Sequence, residues 1–166
     1  MMKEIINLIE KFEQFNSWVN ELEKVDEDLF FTPINEGKWT PAEIISHIIY
    51  WDRYILEELM PQMRKDAKLE SVAFDVINQP ASEYASSGVT KTQLIQEQIE
   101  ARNHLVEVLK EKSEQEFFDT FVLNGEEIDR YSGYPHSLFN YISAFVWHDN
   151  HHKEQIETFL NKNQNS

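Results

Sequence analysis

The sequence contains no cysteine among its 166 residues. This absence excludes disulfide bonds, cysteine nucleophiles and metal sites built from thiolates. Glycine and proline are also scarce, at four and five residues. Because a β fold needs many turns, and these two residues are the main turn formers, the scarcity favours helices.

Positive charge is also in short supply. Lys and Arg number 15 against 30 Asp and Glu, which gives a formal net charge of −15. A negative field of this size repels nucleic-acid phosphate and anionic membrane surfaces, so we expect neither as a partner. No apolar run reaches the length that crosses a bilayer, and residues 1–15 lack the apolar segment of a signal peptide. We therefore expect a cytoplasmic protein.

The remaining composition is that of a folded globular chain. Apolar residues make up 41% and aromatic residues 13%, which is far from the composition of a disordered protein. A chain of 166 residues is long enough for one adequate hydrophobic core. We predict a single domain that covers residues 1–166.

Apolar residues recur in steps of three and four along four segments, and this period predicts helices. The predicted helices cover residues 3–24, 40–66, 90–112 and 135–162. The second helix has the clearest start, with Thr40 as the N-cap, Pro41 in the first turn and Glu43 completing a capping box. Thr90 and Gln93 predict a second capping box at the start of the third helix.

Two connections between the predicted helices are informative. Residues 67–89 lack a clear period and are long enough to be a crossover between helices that are not sequential neighbours. Long loops of this kind are often functional, so we expect this one to cover a site. Asn124-Gly125 lies between short β-prone segments, which predicts a hairpin.

The main chemical signal is a pair of histidines in the last predicted helix. His148 and His152 are four residues apart and continue the apolar stripe of Tyr141, Phe145 and Ile156. Side chains at this spacing lie one above the other on a helix face, so both imidazoles can bind one metal ion. The glutamate that accompanies such a pair in metalloproteases is absent, which disfavours a protease.

His47 is the candidate for a third ligand. It shares a helix face with Ile44, Ile48 and Trp51, where a polar ring needs a partner. A metal ion shared with the histidine pair would be that partner. The alternative is a set of core histidines that are simply hydrogen-bonded to neighbouring groups.

Two segments resemble signatures of the DinB-like superfamily. Residues 38–52 (KWTPAEIISHIIYWD) are similar to its second-helix signature, and residues 148–155 (HDNHHKEQ) are similar to its last-helix signature. The resemblance covers nearly the whole chain and implies an all-α four-helix bundle with a long crossover connection. It also implies a divalent metal ion bound by His47, His148 and His152.

Known members of that superfamily include transferases and isomerases that use bacillithiol, mycothiol or glutathione, while many members have no assigned activity. The resemblance therefore implies a metal-dependent enzyme that activates a low-molecular-weight thiol or water, for transfer to a small substrate or for its hydrolysis. One alternative is a bundle that binds metal or sequesters a small molecule without catalysis. Another is a structural or interaction bundle without metal.

The ligand type and its surroundings lead to further expectations. Imidazole suits several divalent metals, and we expect zinc or nickel ahead of manganese or iron. Asp52, Asp149 and Gln155 are candidates to orient the ligand rings through their second nitrogens. His151 is turned by about one-sixth of a circle from His148 and is expected at the pocket rim. We predict catalytic roles for Asp52, Asp149 and His151.

Three further residues have two interpretations each. Arg102 falls on the apolar stripe of the third helix. It either binds an anionic group of the substrate or forms a buried ion pair with Asp52 or another acid, and we favour the ion pair. Trp51 and Trp147 flank the proposed ligands and either line a pocket or pack in the core.

The abundance of aromatic residues is compatible with a homodimer.

Overall fold

The computed structural model describes residues 1–164 and consists mainly of helices. The long helices are α1 (Met2–Glu21), α2 (Pro41–Tyr54), α3 (Phe74–Ala85), α4 (Lys91–Glu111) and α5 (Leu138–Gln164). Shorter segments are a 3₁₀ turn at Leu22–Lys24, helical turns at Glu27–Phe30 and Glu114–Phe118, and the strands β1 (Lys68–Leu69) and β2 (Val122–Leu123), which pair in parallel. Beyond Tyr54, the chain continues from α2 through a π-helical segment, Ile55–Leu59, and a 3₁₀ turn, Met60–Gln62.

Helices α1, α2, α4 and α5 form a four-helix bundle, as predicted. Both α1 and α2 pack against α4 and α5, so α1 and α2 lie on a diagonal. One apolar cluster includes Ile44 of α2 and Leu94 of α4, and a second includes Ile55 and Leu109. The starts of α2 and α4 therefore lie at the same end of the bundle. Because these neighbours run parallel, residues 63–90 must travel the length of the bundle, which confirms the predicted crossover.

The crossover contains α3, a helix that the sequence did not predict. Its buried side chains are the small Ala81 and Ala85, and Pro80 lies inside it, so it lacks the large apolar stripe that predicts a helix. The helix packs along α2, where the Ser46 hydroxyl donates a 2.7 Å hydrogen bond to the Ala81 carbonyl. The long connection is therefore a structured cover over α2.

The predicted capping box at the start of α2 is confirmed. Thr40 Oγ1 accepts from the Glu43 amide at 3.0 Å, and the Glu43 carboxylate accepts from the Thr40 amide at 3.1 Å. The second predicted box is half formed. Thr90 accepts from the Gln93 amide at 3.1 Å, but the Gln93 side chain donates to the Tyr84 hydroxyl at 3.4 Å instead.

Other helix boundaries differ from prediction by a few residues. The helical segment that continues α2 ends at Gln62 and not at position 66, because the backbone becomes extended at Met63 (φ −76°, ψ 94°). Helix α5 begins at Leu138 and not at position 135, because the residues before it form isolated β-bridges. At its other end α5 extends to Gln164, past the predicted end at position 162, and positions 165–166 lie outside the described residues.

The predicted turn at Asn124-Gly125 is present. Both residues have positive φ, 53° and 80°, and Leu123 and Glu126 exchange two backbone hydrogen bonds of 3.0 Å across the turn. In the part of the chain that the structure describes, the flanking segments make only isolated antiparallel bridges, because β2 pairs with β1. The hairpin prediction is correct for the turn and wrong for the strands.

Two apolar clusters fill the bundle, and a polar layer separates them. The apolar residues that recur in steps of three and four along the first predicted helix, residues 3–24, are buried and contribute to both clusters: Ile5, Ile9, Phe12, Phe15, Val19 and Leu22. The guanidinium carbon of Arg102 lies 3.8 Å from the ring centroid of Phe12, in one cluster, and 5.1 Å from that of Phe15, in the other. Within residues 1–164, no helix is long and apolar enough to cross a membrane.

Candidate metal centre

Three histidine side chains converge between α2 and α5. His47 belongs to α2, while His148 and His152 lie on successive turns of α5. The Nε2 atom of His148 lies 3.3 Å from Nε2 of His47 and 3.1 Å from Nε2 of His152. Ligand atoms of the three residues all lie within 4.8 Å of one another. The structure brings together the three residues that the sequence indicated as metal ligands.

The helical period of each element places these rings. His47 is 6% exposed and shares the buried face of α2 with Ile44 and Ile48. His148 and His152 are half-buried, and the same stripe of α5 continues to the buried Ile156. Because about 3.6 residues make one turn, rings at i and i+4 lie on one side of α5, where they face α2.

Two of the three rings are held through their second nitrogen. His47 Nδ1 lies 2.7 Å from Oδ1 of Asn78, and His152 Nδ1 lies 2.8 Å from Oε1 of Gln155. An amide oxygen only accepts, so both Nδ1 atoms donate and each neutral ring keeps a lone pair on Nε2. Nδ1 of His148 is buried and has no hydrogen-bond partner among the described residues. The structure supports the expected orienting role of Gln155, whereas Asn78 was not identified from the sequence.

The three rings have too few protons to satisfy one another. His148 Nε2 contacts two Nε2 atoms that hold lone pairs, yet a ring nitrogen carries at most one proton. At least one of the two contacts therefore lacks a bridging proton, and a cation would remove this conflict. Two nitrogens bound at about 2.0–2.1 Å to one tetrahedral ion lie about 3.3 Å apart. The observed 3.3 and 3.1 Å separations agree, so the donor set fits a divalent ion.

Burial keeps the rings neutral. Desolvation, reinforced by the neighbouring His152, lowers the pKa of His47 to about 4, against the effect of the hydrogen bond to Asn78. Desolvation and the other histidines lower the pKa of His148 to about 3, and desolvation lowers the pKa of His152. At neutral pH all three imidazoles are in the form that binds a metal.

Metal binding should therefore resist acid. Three ordinary imidazoles, with pKa values of about 6.5, would lose about 1000-fold in affinity between pH 7.5 and about 5.5, because protons compete with the metal. Since the pKa values of His47 and His148 lie near 4 and 3, we expect a loss below about tenfold. Calorimetric titration with Zn²⁺ at the two pH values measures this. A loss near 1000-fold would show that the rings titrate as exposed histidines do.

Asp52 and Asp149 bind Arg102, not the imidazoles. Nε of Arg102 donates to Asp52 and Nη1 donates to Asp149, each at 2.8 Å. Nη2 donates to both carboxylates at 3.1 Å, and Nη1 also donates to the Phe12 carbonyl at 2.9 Å. All five N–H groups of the guanidinium are then used. The expectation that these carboxylates orient the imidazoles is corrected, because the buried guanidinium attracts both.

The same contacts decide the two interpretations of Arg102. The side chain is fully buried and saturated, so the ion pair favoured from the sequence is confirmed and the anion-binding alternative is wrong. Desolvation raises the pKa of Asp52 and raises that of Asp149 to about 6, against the charge of Arg102. Burial alone would lower the pKa of Arg102, but the two carboxylates outweigh it and raise that pKa. The cluster holds α2, α4 and α5 together.

His151 lies at the exposed edge of the site. Its ring stacks on Trp147, with centroids 5.5 Å apart and planes 5° apart, and its centroid lies 5.6 Å from that of His152. Trp147 is 69% exposed, so core packing is the wrong interpretation for that residue, while Trp51 is 6% exposed and packs in the core. His151 is outside the group of converging ligand atoms.

Two clefts flank the histidines and share one wall, Trp39. The smaller, about 220 Å³, is lined in part by His152, Gln155, Lys38, Ile34 and Ile44. The larger, about 550 Å³, is lined in part by Asn78, Phe74, Asp75 and Glu83. The Trp39 ring centroid lies 5.1 Å from that of His47. The histidine cluster therefore borders surface clefts and is not sealed inside the bundle.

Comparisons with known proteins agree with this architecture. The family model described as the DinB superfamily matches residues 9–156. Among solved structures, YfiT from Bacillus subtilis has a similar fold, with a TM-score of 0.70 and 17% identity, over 98% of this chain and 89% of that chain. YfiT is described as a probable metal-dependent hydrolase with an unusual four-helix bundle topology. No curated protein matches the sequence.

Proposed function

Because the chain belongs to the DinB superfamily, we propose that it is a metal-dependent enzyme whose divalent ion is held by His47, His148 and His152. The observation that carries the proposal is the convergence of three Nε2 atoms with 3.3 and 3.1 Å separations. An all-imidazole donor set suits zinc or nickel, and iron after them, while manganese prefers oxygen ligands.

We propose hydrolysis of a small substrate as the first reaction to test, and transfer of a low-molecular-weight thiol as the second. When bound by three neutral imidazoles, a divalent ion keeps its full charge and open coordination positions, which lowers the pKa of a water or thiol ligand. The description of YfiT as a probable metal-dependent hydrolase supports the first choice. The chain has no sequence element that we recognise as a dedicated thiol-binding site.

The surrounding side chains divide the remaining tasks. The cleft beside His152 gives a small molecule access to the histidines, and its walls Trp39 and Ile44 exclude water. His151, stacked on Trp147 at the rim, is positioned to move a proton between the substrate and solvent. Asp52 and Asp149 are engaged with Arg102, so we assign them to holding the helices and not to proton transfer.

A paired assay tests this function. Metal-loaded and chelator-stripped protein are compared on a panel of small esters and amides, and separately on a small thiol with a chloroarene electrophile. We expect turnover only in the loaded protein. His151→Ala should lower that rate by about 10²–10⁴-fold, the usual contribution of a proton-transfer group, while metal content stays unchanged.

His104→Ala is the matched control, because His104 is exposed on α4 and has no assigned role. Its rate should equal that of the unaltered protein. Stoichiometric metal without turnover on either panel would contradict the enzyme and favour a bundle that sequesters metal or a small molecule.

A further inference from the structure

Asn78 connects the crossover helix to the candidate metal centre. Its Oδ1 atom lies 2.7 Å from Nδ1 of His47 and also accepts a 2.8 Å hydrogen bond from Nε1 of Trp51. These are the two acceptor directions of one amide oxygen. His47 and Trp51 are four residues apart on α2, so one side chain of α3 bridges two successive turns of the neighbouring helix.

The Trp51 contact fixes which atom of the amide faces His47. An indole N–H only donates, so the atom that it meets must be the carbonyl oxygen and not the amide nitrogen. The oxygen in turn only accepts, so His47 Nδ1 must carry the proton. A neutral His47 ring then has its lone pair on Nε2, the atom that points at His148 at 3.3 Å. The donor on Trp51 and the acceptor on Asn78 are therefore enough to set the tautomer of His47.

The position of Asn78 is itself held by two hydrogen bonds on its C-terminal side along α3. The Ser46 hydroxyl donates to the Ala81 carbonyl at 2.7 Å, and the Ser82 hydroxyl donates to the Glu43 carboxylate at 2.5 Å. Both bonds attach α3 to α2 about one turn beyond Asn78. The amide is therefore presented by an anchored helix and not by a free loop.

We propose that Asn78 is a positioning residue of the metal centre, which, with its amide locked by Trp51, holds His47 in the Nδ1–H tautomer and aims Nε2 at the ion. It acts through His47 and does not touch the metal. The inference rests on the proposed metal site and not on the reaction that the site carries out. It also gives the crossover a chemical role in addition to its topological one.

Gln155 holds His152 as Asn78 holds His47, and it serves as a comparison within the same site. Its Oε1 atom accepts from His152 Nδ1 at 2.8 Å, but the described residues give it no second donor that fixes the amide orientation. Loss of the indole donor should therefore weaken the His47 side of the site and leave the His152 side unchanged.

The test measures Zn²⁺ affinity, by competition with a chromophoric chelator, and the ring tautomer of His47 in the metal-free protein, by two-bond ¹H–¹⁵N correlation spectra. The unaltered protein should show protonated Nδ1 on His47. Asn78→Leu should lower Zn²⁺ affinity by about 10–100-fold, as is typical when a ligand loses its supporting hydrogen bond, and should release the tautomer. Asn78→Asp keeps an acceptor, so it should preserve both the tautomer and most of the affinity.

Two further variants separate positioning from general damage to α3. Trp51→Phe should give an affinity between those of the unaltered protein and Asn78→Leu, since the amide can then rotate. Gln79→Leu alters the exposed neighbour on the same helix and should change neither measurement. Even if Asn78→Leu does not fold, Asn78→Asp and Trp51→Phe still give a decisive result.

Wild-type affinity in folded Asn78→Leu, or a protonated Nε2 on His47 in the unaltered protein, would overturn the inference. Equal losses in Asn78→Asp and Asn78→Leu would also contradict it. The tautomer is read without metal, so a protein that binds no metal would disprove the proposed function while the tautomer still tests Asn78.

Discussion

Replacing His148 with alanine is expected to remove most of the metal-binding affinity and to leave the fold helical. His148 is the middle ligand, because its Nε2 lies 3.3 Å from one neighbouring Nε2 and 3.1 Å from the other. Without His148, the remaining ligands His47 and His152 lie on different helices and the His148 Nε2 atom that contacts both is absent. The decrease should exceed the roughly 10–100-fold that follows loss of a hydrogen bond behind a ligand.

The fold should tolerate this change. The His148 ring is half-buried, its Nδ1 has no partner within residues 1–164, and its neighbours present lone pairs to it. Removing a polar ring with so few satisfied groups costs little, since no buried partner loses its only hydrogen bond. Zn²⁺ titration together with far-ultraviolet circular dichroism measures both effects, with His104→Ala as the control. Retained stoichiometric metal in His148→Ala would count against the assigned ligands.

Replacing Arg102 with methionine is expected to destabilise the fold by about 3–5 kcal/mol. The guanidinium is fully buried between Asp52 and Asp149, and its removal leaves two carboxylates 1% and 3% exposed without their cation. Methionine restores much of the volume, so the loss comes mainly from the unpaired charges and not from a cavity. The Phe12 carbonyl also loses its 2.9 Å hydrogen bond.

Urea unfolding of metal-free protein measures this change and avoids a contribution from bound metal. The matched control removes the whole cluster, as Arg102→Met with Asp52→Leu and Asp149→Leu, and should recover most of the loss. Lys24→Met provides a surface comparison, because the Lys24–Glu21 pair is exposed and the change should have little effect on stability. A loss below about 1 kcal/mol in Arg102→Met itself would mean that the buried cluster is not a main support of the fold.

The helices and the histidine cluster could be predicted because both depend on a local period. The spacing of His148 and His152 and the apolar stripe through them place both rings on one face of α5, whatever the rest of the fold does. His47 was found by the same argument on α2. Their apolar neighbours along each stripe are buried or partly buried, and a polar ring among such neighbours needs a partner.

The groups that support the site depend on contacts between distant segments, and local patterns do not reveal these. Asn78 lies on α3, whose buried face consists of small residues, so no apolar period marked it as a helix over the site. Asp52 is buried, and the sequence does not decide between an imidazole and Arg102 as the partner of its carboxylate. That choice depends on how α2, α4 and α5 pack, which places the charged guanidinium, and not a neutral imidazole, against both carboxylates.

The most direct test of the central claim is the metal content of the protein, purified without a histidine tag and measured by elemental mass spectrometry. We predict one divalent ion per chain, present after purification or after reconstitution, and lost in His47→Ala. Absence of metal even after reconstitution, or an undiminished ion in His47→Ala, would contradict the account. The cluster would then be a set of core histidines that share too few protons.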